Sequence, residues 1–500
     1  MITNWWLDEM PSIPGVLRTV FYAGLLVICL VDQPSPLSSA RIIEKTEPVF
    51  YTSPGALRLL GIRWVRPPVL RLVARLTVVV WVAAAVGFLQ PVTGALTFLG
   101  FAFLHAVNSG ALGANHSTHS ALYALLCMSF SVSYDFSLDG LLARHTAWPQ
   151  LVSEDSVLTS GFAPALLLVM LAYTMFAGGV AKVRYGWRGW RDGSALRFYL
   201  EQSAPVARWP WLSRQMTASP ALCRLAAWGT LLLELGSIAA IFSSELRMPL
   251  ILGWVCLHLG ILCVMMPAYW VQMWCYLLLL DWPWLVSLVT GDAPVAAAAP
   301  EGAGATVLAA VGWLFAAALV YVLVTESEQW PFTSVPMYSN GTRSADRMPL
   351  PPRAELHARA VRAARGRHRA WQRAWVDEEC TEDIVVRSAD DSREPQRLFH
   401  LLHAEGTSTL VRWSQYAKVV RETAIEDMAA KPADRPEHDD NPGRIYPATH
   451  FLRRVVPLVR EALPGWERYA ALEMVCRTDS GDVVIARADL AGLRVEEPAR

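Results

Sequence analysis

Long apolar runs separated by short polar segments fill the first two thirds of this chain. A helix needs about 20 apolar residues to cross the hydrocarbon core of a membrane. Read at helical periodicity, the runs predict nine transmembrane helices, at residues 15–31, 70–89, 92–108, 117–134, 162–182, 221–242, 249–265, 268–288 and 304–324. The weakest of the nine are the serine-rich fourth run and the seventh and eighth, which only Met266-Pro267 separates.

The pattern changes after Gln329 to that of a soluble domain. A Pro- and Ser-rich connector is followed by a basic helical pattern and then by strand-like and helical pieces. The strand-like pieces lie at 383–387, 409–413, 473–476 and 483–486, and the later helix at 450–463. We therefore predict a membrane all-α bundle of about nine transmembrane helices at 1–330, a linker at 331–352 and a small C-terminal α+β soluble domain at 353–500.

Composition supports a membrane protein and narrows the partners. Hydrophobic residues make up 53% and charged residues 18%, whereas soluble domains carry about 25% charged residues. The apolar composition leads us to expect the lipid membrane as a partner. The formal net charge is zero, so no nucleic-acid partner is expected. The basic helix at 353–375 suits solvent or anionic lipid headgroups. The eight cysteines show no CxxC pair and no zinc-like spacing with histidine, so no metal site is predicted.

The loop charges predict how the bundle is oriented. The loops at 32–69 and 183–220 hold most of the basic side chains, whereas the loops of the opposite face carry only Arg144 and Arg247 among several acids. The positive-inside rule then places the basic face and the C-terminal domain in the cytoplasm. We expect the membrane to be a bacterial inner membrane.

Several ionisable or polar residues are predicted near the basic face or inside the bundle. Such residues are costly in membrane spans and tend to face the bundle interior or a water-filled cavity. They occur at the end of the third predicted helix, at the start of the fourth, at the end of the fifth and about 20 Å inside the sixth. They are His105, Asn115, His116, His119, Lys182 and Glu234.

The lysine suggests proton abstraction in a dry place. Burial penalises a charged amine, so Lys182 is a candidate base for an acidic, lipid-soluble substrate such as a hydroquinone. A histidine beside it would hydrogen-bond the developing oxyanion, and Trp187 with its aromatic neighbours suits a flat ring. Each residue also has a purely structural alternative: Lys182 reaching the headgroups, the histidines bonding a neighbouring helix, and Glu234 pairing between helices.

Four motifs occur in order along the membrane part. In chain order they are HSALYALL from His119, SLDGLL from Ser137, AGGVAKVRYGW at Ala177–Trp187 and LLLEL from Leu231. Together they resemble the vitamin K-dependent gamma-glutamyl carboxylase family, founder of the bacterial horizontally transferred transmembrane domain (HTTM) proteins. The resemblance covers about residues 15–330.

The resemblance implies roles for three of the candidate residues. Lys182 matches the base that deprotonates a reduced quinone of the vitamin K or menaquinone type, His119 matches the assisting histidine, and Glu234 takes the place of an acid. Oxygen and carbon dioxide would be co-substrates, and the product an epoxide with a carboxylated protein or peptide.

The chain departs from that family in ways that keep other functions open. Ala181 stands where the carboxylase has a second lysine, and Arg184 where it has an acid. The carboxylase lysine faces the lumen, whereas the loop charges place Lys182 on the cytoplasmic side. The alternative is a non-enzymatic membrane scaffold or a peptide-maturation or transport partner; an ion-coupled transporter would need paired broken helices, which the sequence does not show.

Overall fold

The computed structural model describes most of the membrane part and a smaller share of the C-terminal part. The described residues are 5–7, 10–31, 35–44, 46, 51, 53–112, 116–152, 156–203, 207–265, 269–282, 284–285, 287, 303–325, 382–389, 395–398, 401, 420, 448–478, 481–491 and 495–496.

The first part consists of helices joined by short connections. They are α1 (Gly15–Val31), α2 (Ser39–Glu44), α3 (Gly55–Leu59), α4 (Pro67–Ala85), α5 (Val92–Leu112), α6 (His116–Met128), α7 (Leu138–His145), α8 (Phe162–Asp192), α9 (Ser194–Ser203), α10 (Pro210–Ala218), α11 (Pro220–Gly236), α12 (Ala239–Phe242), α13 (Ser244–Val264), α14 (Trp270–Tyr276) and α15 (Ala303–Thr325). Short 3-10 turns lie at Pro36–Ser38, Val157–Thr159 and Leu277–Leu279.

Five helices in the described residues are long and apolar enough to cross a membrane. They are α4, α5 over Val92–Ala111, α8 over Phe162–Arg184, α13, and α15 over Gly304–Thr325. A sixth results if α1 and the segment Pro36–Glu44, bent by 47° relative to it, are counted as one span. The chain is therefore built around apolar helices of membrane-spanning length.

The prediction of nine full-length spans is not confirmed. The fourth predicted span is helical only over the 13 residues of α6, about 20 Å at 1.5 Å per residue. The eighth is the short α14 continued by a 3-10 turn to Leu279, and the sixth, α11, has 17 residues. The physical reason lies in burial: nearly every side chain from Thr118 to Met128 is buried inside the protein. A short helix in a protein core is as apolar as one in lipid.

Helix α8 is the centre of the bundle. In its apolar stretch 78% of the residues are buried, compared with 28% in α4 and 22% in α13. Helices α6, α11 and α15 pack against it. The outer helices leave large apolar side chains exposed, among them Leu72, Val79 and Leu252, as expected for surfaces that face lipid.

A buried arginine fixes the end of the bundle where α1 begins. Arg18 Nη1 donates to Gln90 Oε1 at 2.8 Å and to the carbonyl oxygen of Ser133 at 2.6 Å, and Nη2 donates to the carbonyl oxygen of Phe136 at 3.0 Å. Arg18 is 2% exposed. One side chain thus ties α1 to the connections that follow α4 and α6.

Asp139, from the SLDGLL motif, supports the same connection after α4. Its two carboxylate oxygens accept the backbone N–H groups of Leu89 and Gln90, each at 2.9 Å, and Trp148 Nε1 donates to it at 3.3 Å. Leu89 has a positive φ of 52°, a conformation that non-glycine residues rarely adopt. The motif therefore has a structural role in this turn.

In its described residues, the C-terminal part is a small antiparallel sheet with one helix packed against it. The strands β1 (Glu382–Ser388), β2 (Gln396–Arg397), β3 (Tyr469–Thr478), β4 (Gly481–Asp489) and β5 (Val495–Glu496) pair in the order β2-β1-β3-β4-β5. The helix α16 (Ala448–Ala462) buries its apolar face against Ile384, Leu472 and Met474 on one side of the sheet. On the other side, Glu473 pairs with Arg387 at 2.6 Å and with Arg487 at 3.4 Å.

These elements agree with three of the four predicted strands and with the predicted helix at 450–463. The fourth strand at 409–413, the linker at 331–352 and the basic helix at 353–375 lie outside the described residues.

We expect the substitution Asp139→Ala to destabilise the fold by about 2–4 kcal/mol, because it leaves two backbone N–H groups without their acceptor. Thermal unfolding of the protein in detergent micelles measures the change. Asp135→Ala is the matched control, since Asp135 is exposed in the same connection. Equal melting temperatures for the two variants would contradict the role of Asp139.

Candidate functional site

The central feature of the bundle is an ion pair between α8 and α11. Lys182 Nζ donates to Glu234 Oε1 at 2.8 Å, and the two residues are only 4% and 8% exposed. Gly179 allows the helices to approach, since a Cβ there would lie 3.0 Å from Glu234 Cβ. Ser237 adds a second link by donating to the carbonyl oxygen of Ala172 at 3.0 Å.

The lysine also lies over an aromatic ring. Lys182 Nζ is 5.1 Å from the centre of the Trp190 ring, a distance at which a cation is attracted to the ring face. The two residues are eight positions apart, about 12 Å along a straight helix. Between them Gly186 has non-helical torsion angles (φ −123°, ψ 17°), so α8 is kinked where the ring approaches the amine.

Burial makes the pairing of these two charges obligatory. An isolated charge in an apolar environment costs several kcal/mol or more, and here each partner offsets the charge of the other. The second carboxylate oxygen, Glu234 Oε2, is buried and has no hydrogen-bond partner within the part of the chain that the structure describes. The pair is thus balanced in charge, with one acceptor oxygen left for another group.

A polar cluster from α13 and α14 lies near this pair. His258 Nδ1 lies 2.8 Å from the carbonyl oxygen of Trp254; since a carbonyl only accepts, Nδ1 carries the proton in this bond. Gln272 Nε2 donates to Tyr276 Oη at 2.9 Å. The Met175 sulfur of α8 lies 3.7 Å from both Gln272 Nε2 and Tyr276 Oη.

The cluster contacts α8 at Met175, which is seven residues, about two helical turns, before Lys182. Gln272 and Tyr276 are not among the residues predicted from the sequence. A glutamine inside an apolar run is the signal that would have pointed to them, because polar side chains in membrane helices rarely lack a function.

A second pair of predicted residues meets between α5 and α6. The rings of His105 and His119 are 4.7 Å apart, edge to face, and His105 Nε2 lies 2.9 Å from Thr118 Oγ1. The His119 ring also packs 6.3 Å from that of Tyr123. Asn108 Oδ1 is buried nearby on α5 and has no hydrogen-bond partner in the described residues.

The structure thus brings four predicted residues together as two pairs. Lys182 is neither at a helix end nor directed to the headgroups: α8 continues for ten residues beyond it to Asp192, and the side chain is buried. Glu234 has a helix-to-helix partner, as its structural role would require. The joint action of Lys182 and His119 stays a prediction.

The remaining predicted residues are peripheral or outside the described part. Trp187 is 39% exposed and packs edge to face on Trp228 at 5.8 Å. Asn115 and the side chain of His116 lie outside the described residues. Among those that are described, no group of three or more His, Cys, Asp or Glu side chains could hold a metal ion.

Comparison with known proteins does not place the chain in a family: no family model, no curated protein and no solved structure matches it. The site must therefore be interpreted from its own geometry.

We expect Lys182→Met to lower the free energy of unfolding by about 3 kcal/mol or more, because it leaves the Glu234 carboxylate buried without a counter-charge. The double substitution of Lys182 and Glu234 to methionine should recover most of that loss, since it removes both charges. Thermal unfolding of the single and double variants measures this coupling.

The matched control is Arg197→Met, which breaks the exposed pair with Glu201 in α9 and should change stability by less than about 1 kcal/mol. If Lys182→Met is as mild as this control, the pair does not hold α8 and α11 together.

Proposed function

We propose that this protein is a multi-pass membrane enzyme in which the Lys182 amine takes a proton from an acidic hydroxyl of a lipid-soluble substrate of the hydroquinone class. The observation that carries the proposal is the buried Lys182–Glu234 pair. It places a potential base and its proton acceptor 2.8 Å apart among apolar helices.

The 2.8 Å hydrogen bond between Lys182 and Glu234 allows a proton to pass between the two side chains. In an environment of low polarity, separated charges are penalised, so transfer of one proton from Lys182 to Glu234 leaves a neutral amine beside a carboxylic acid. The neutral amine then accepts the substrate's hydroxyl proton: the O–H bond breaks and an N–H bond forms. The Trp190 ring, 5.1 Å from Nζ, favours the ammonium ion that results.

A reduced quinone fits the residues that are present. It would be held by Lys182 and by Glu234 Oε2, a buried acceptor without a partner in the described part of the chain. When bound, such a molecule supplies the acidic hydroxyl and the electrons for reaction with oxygen.

The resemblance to the gamma-glutamyl carboxylase and HTTM family extends this proposal. It supports quinol epoxidation coupled to carboxylation, or to another modification, of a protein or peptide, with oxygen and carbon dioxide as co-substrates. In this extension His119, packed against His105, assists at the substrate oxygen. The loop charges support a bacterial inner membrane with Lys182 and the C-terminal domain on the cytoplasmic side.

A non-enzymatic scaffold, or a partner in peptide maturation or transport, is the second candidate. The observation that favours it is that Lys182 and Glu234 satisfy each other across two packed helices, as a purely structural link would. The two functions differ in whether the lysine must lose a proton.

The substitution Lys182→Arg separates these functions. Arginine retains a positive charge that can pair with Glu234, but it stays protonated in proteins and cannot act as base. We expect quinol oxidation by purified protein in lipid nanodiscs, supplied with reduced menaquinone or vitamin K and oxygen, to fall by at least about a hundredfold in Lys182→Arg. Epoxide formation is followed by chromatography.

The control for this assay is Arg197→Gln, remote from the pair, which should retain the wild-type rate. Thermal unfolding confirms that Lys182→Arg is folded. Equal rates of epoxide formation in the wild type and Lys182→Arg, or no epoxide from either with several quinols, would reject the proposed base and favour the scaffold.

A further inference from the structure

Helix α10 lies across the ends of two neighbouring helices. Trp209, the residue that precedes it, donates its backbone N–H to the carbonyl oxygen of Cys263 at 2.9 Å, one residue before α13 ends at Val264. At its other end, Ala218 is followed directly by Ser219 and the start of α11. Helix α13 is long and apolar enough to cross a membrane. Helix α10 therefore begins at the level where that span ends, which is the level of the lipid headgroups.

The two sides of α10 differ in what they contact. On one side, Ser213 Oγ donates to the carbonyl oxygen of Leu200 in α9 at 3.1 Å, and Leu212 and Met216 pack against a buried cluster that includes Val264. On the other side the residues are exposed, at positions spaced three, four and seven residues apart as on one face of a helix. They are Trp211, Arg214, Gln215 and Ala218. The helix is thus fixed to the bundle by one side and presents the other outward.

The charge on the outward side is of one sign. The stretch 202–233 contains three arginines and no aspartate or glutamate. They are Arg208, Arg214 and Arg224, and all three are exposed. The acid that precedes this stretch, Glu201, is paired with Arg197 at 2.8 Å. Among the residues that the structure describes, no carboxylate forms an ion pair with Arg208 or Arg214. Charge complementarity therefore calls for an anionic partner.

Two exposed tryptophans lie beside these arginines. Trp209 is 46% exposed and Trp211 is 59% exposed. An indole ring has an apolar body and a polar N–H, so it is most stable at the boundary between headgroups and acyl chains. A guanidinium binds phosphate through two parallel N–H bonds. We call the surface formed by Arg208, Trp209, Trp211 and Arg214 the α10 face. Its two kinds of side chain match the two parts of a phospholipid.

We propose that the α10 face binds anionic phospholipid in preference to zwitterionic phospholipid. The arginines attract the lipid phosphate, and the tryptophan rings pack on the glycerol and the upper acyl chains. A zwitterionic lipid carries the same phosphate but adds an ammonium group, which the arginines repel. A lipid is favoured over an acidic peptide because α10 begins where the α13 span ends, among the headgroups. The binding of this lipid is independent of any chemistry at Lys182.

Site-specific photocrosslinking tests both the lipid and its place. The crosslinker p-benzoylphenylalanine replaces Gln215, an exposed residue next to Arg214, so that the tryptophans and arginines of the α10 face are retained. The full chain is reconstituted in vesicles of equal parts phosphatidylglycerol and phosphatidylcholine and irradiated, and mass spectrometry identifies the lipid adducts. We expect phosphatidylglycerol adducts to exceed phosphatidylcholine adducts at least about threefold, because each basic side chain adds to the attraction of anionic lipid.

Two controls isolate the contribution of the arginines. The same crosslinker in place of Leu252, an exposed residue of the α13 span, should give the two adducts in the ratio of the vesicle. In the double variant Arg208→Gln with Arg214→Gln, the ratio at position 215 should fall to within about twofold of the ratio at position 252. Both arginines are exposed, so the melting temperature of this variant should match that of the wild type.

Three results would overturn the proposal. Equal adduct ratios at positions 215 and 252 in the wild type would show that the α10 face does not select anionic lipid. A ratio that stays high in the double variant would remove the arginines as its cause. Lipid adducts at position 252 but none at position 215 would place α10 outside the lipid layer, and a crosslink from position 215 to another chain would then identify an interface between copies.

Discussion

The central bundle depends on the rule that a charge buried among apolar helices needs a counter-charge. Lys182 and Glu234 lie 2.8 Å apart on the two helices that pack along the core of the bundle. Neither charge is tolerable there without the other. The pair therefore fixes the rotation of α11 against α8. Two further residues support the same contact: Gly179 leaves room for the helices to approach, and Ser237 donates a hydrogen bond from α11 to α8.

The apolar pattern predicts that helices form but does not show what surrounds them. It located α4, α5, α8, α13 and α15, which are long and apolar enough to cross a membrane. It also predicted full-length spans at α6 and α14, which are shorter apolar helices in the structure, because a helix in the protein interior and a helix that faces lipid carry the same kinds of side chain. Only the three-dimensional contacts distinguish the two environments, since both exclude water.

The candidate site was predictable in its members and not in its pairings. Lys182, Glu234, His105 and His119 stand out because ionisable side chains are rare in apolar runs. The partner of each is set by helix rotation and packing: Lys182 and Glu234 are 52 positions apart. The role of Tyr276 was hidden for another reason, because a tyrosine in an apolar run resembles any other core aromatic. Its function as a partner of Gln272 depends on a single hydrogen bond.

Helix α8 also has a long stretch without charged side chains before Lys182. The network of Arg18 and Asp139 lies at the end where α8 begins, and Lys182 is 20 residues, about 30 Å, further along. Between Phe162 and Ala181 the helix carries no acidic, basic or histidine side chain, and its first turns are entirely buried. A proton moves through a protein only along groups that can exchange it. Along α8, the described stretch between Phe162 and Lys182 therefore offers only the hydroxyl groups of Tyr173 and Thr174 for proton exchange, and no acidic, basic or histidine group.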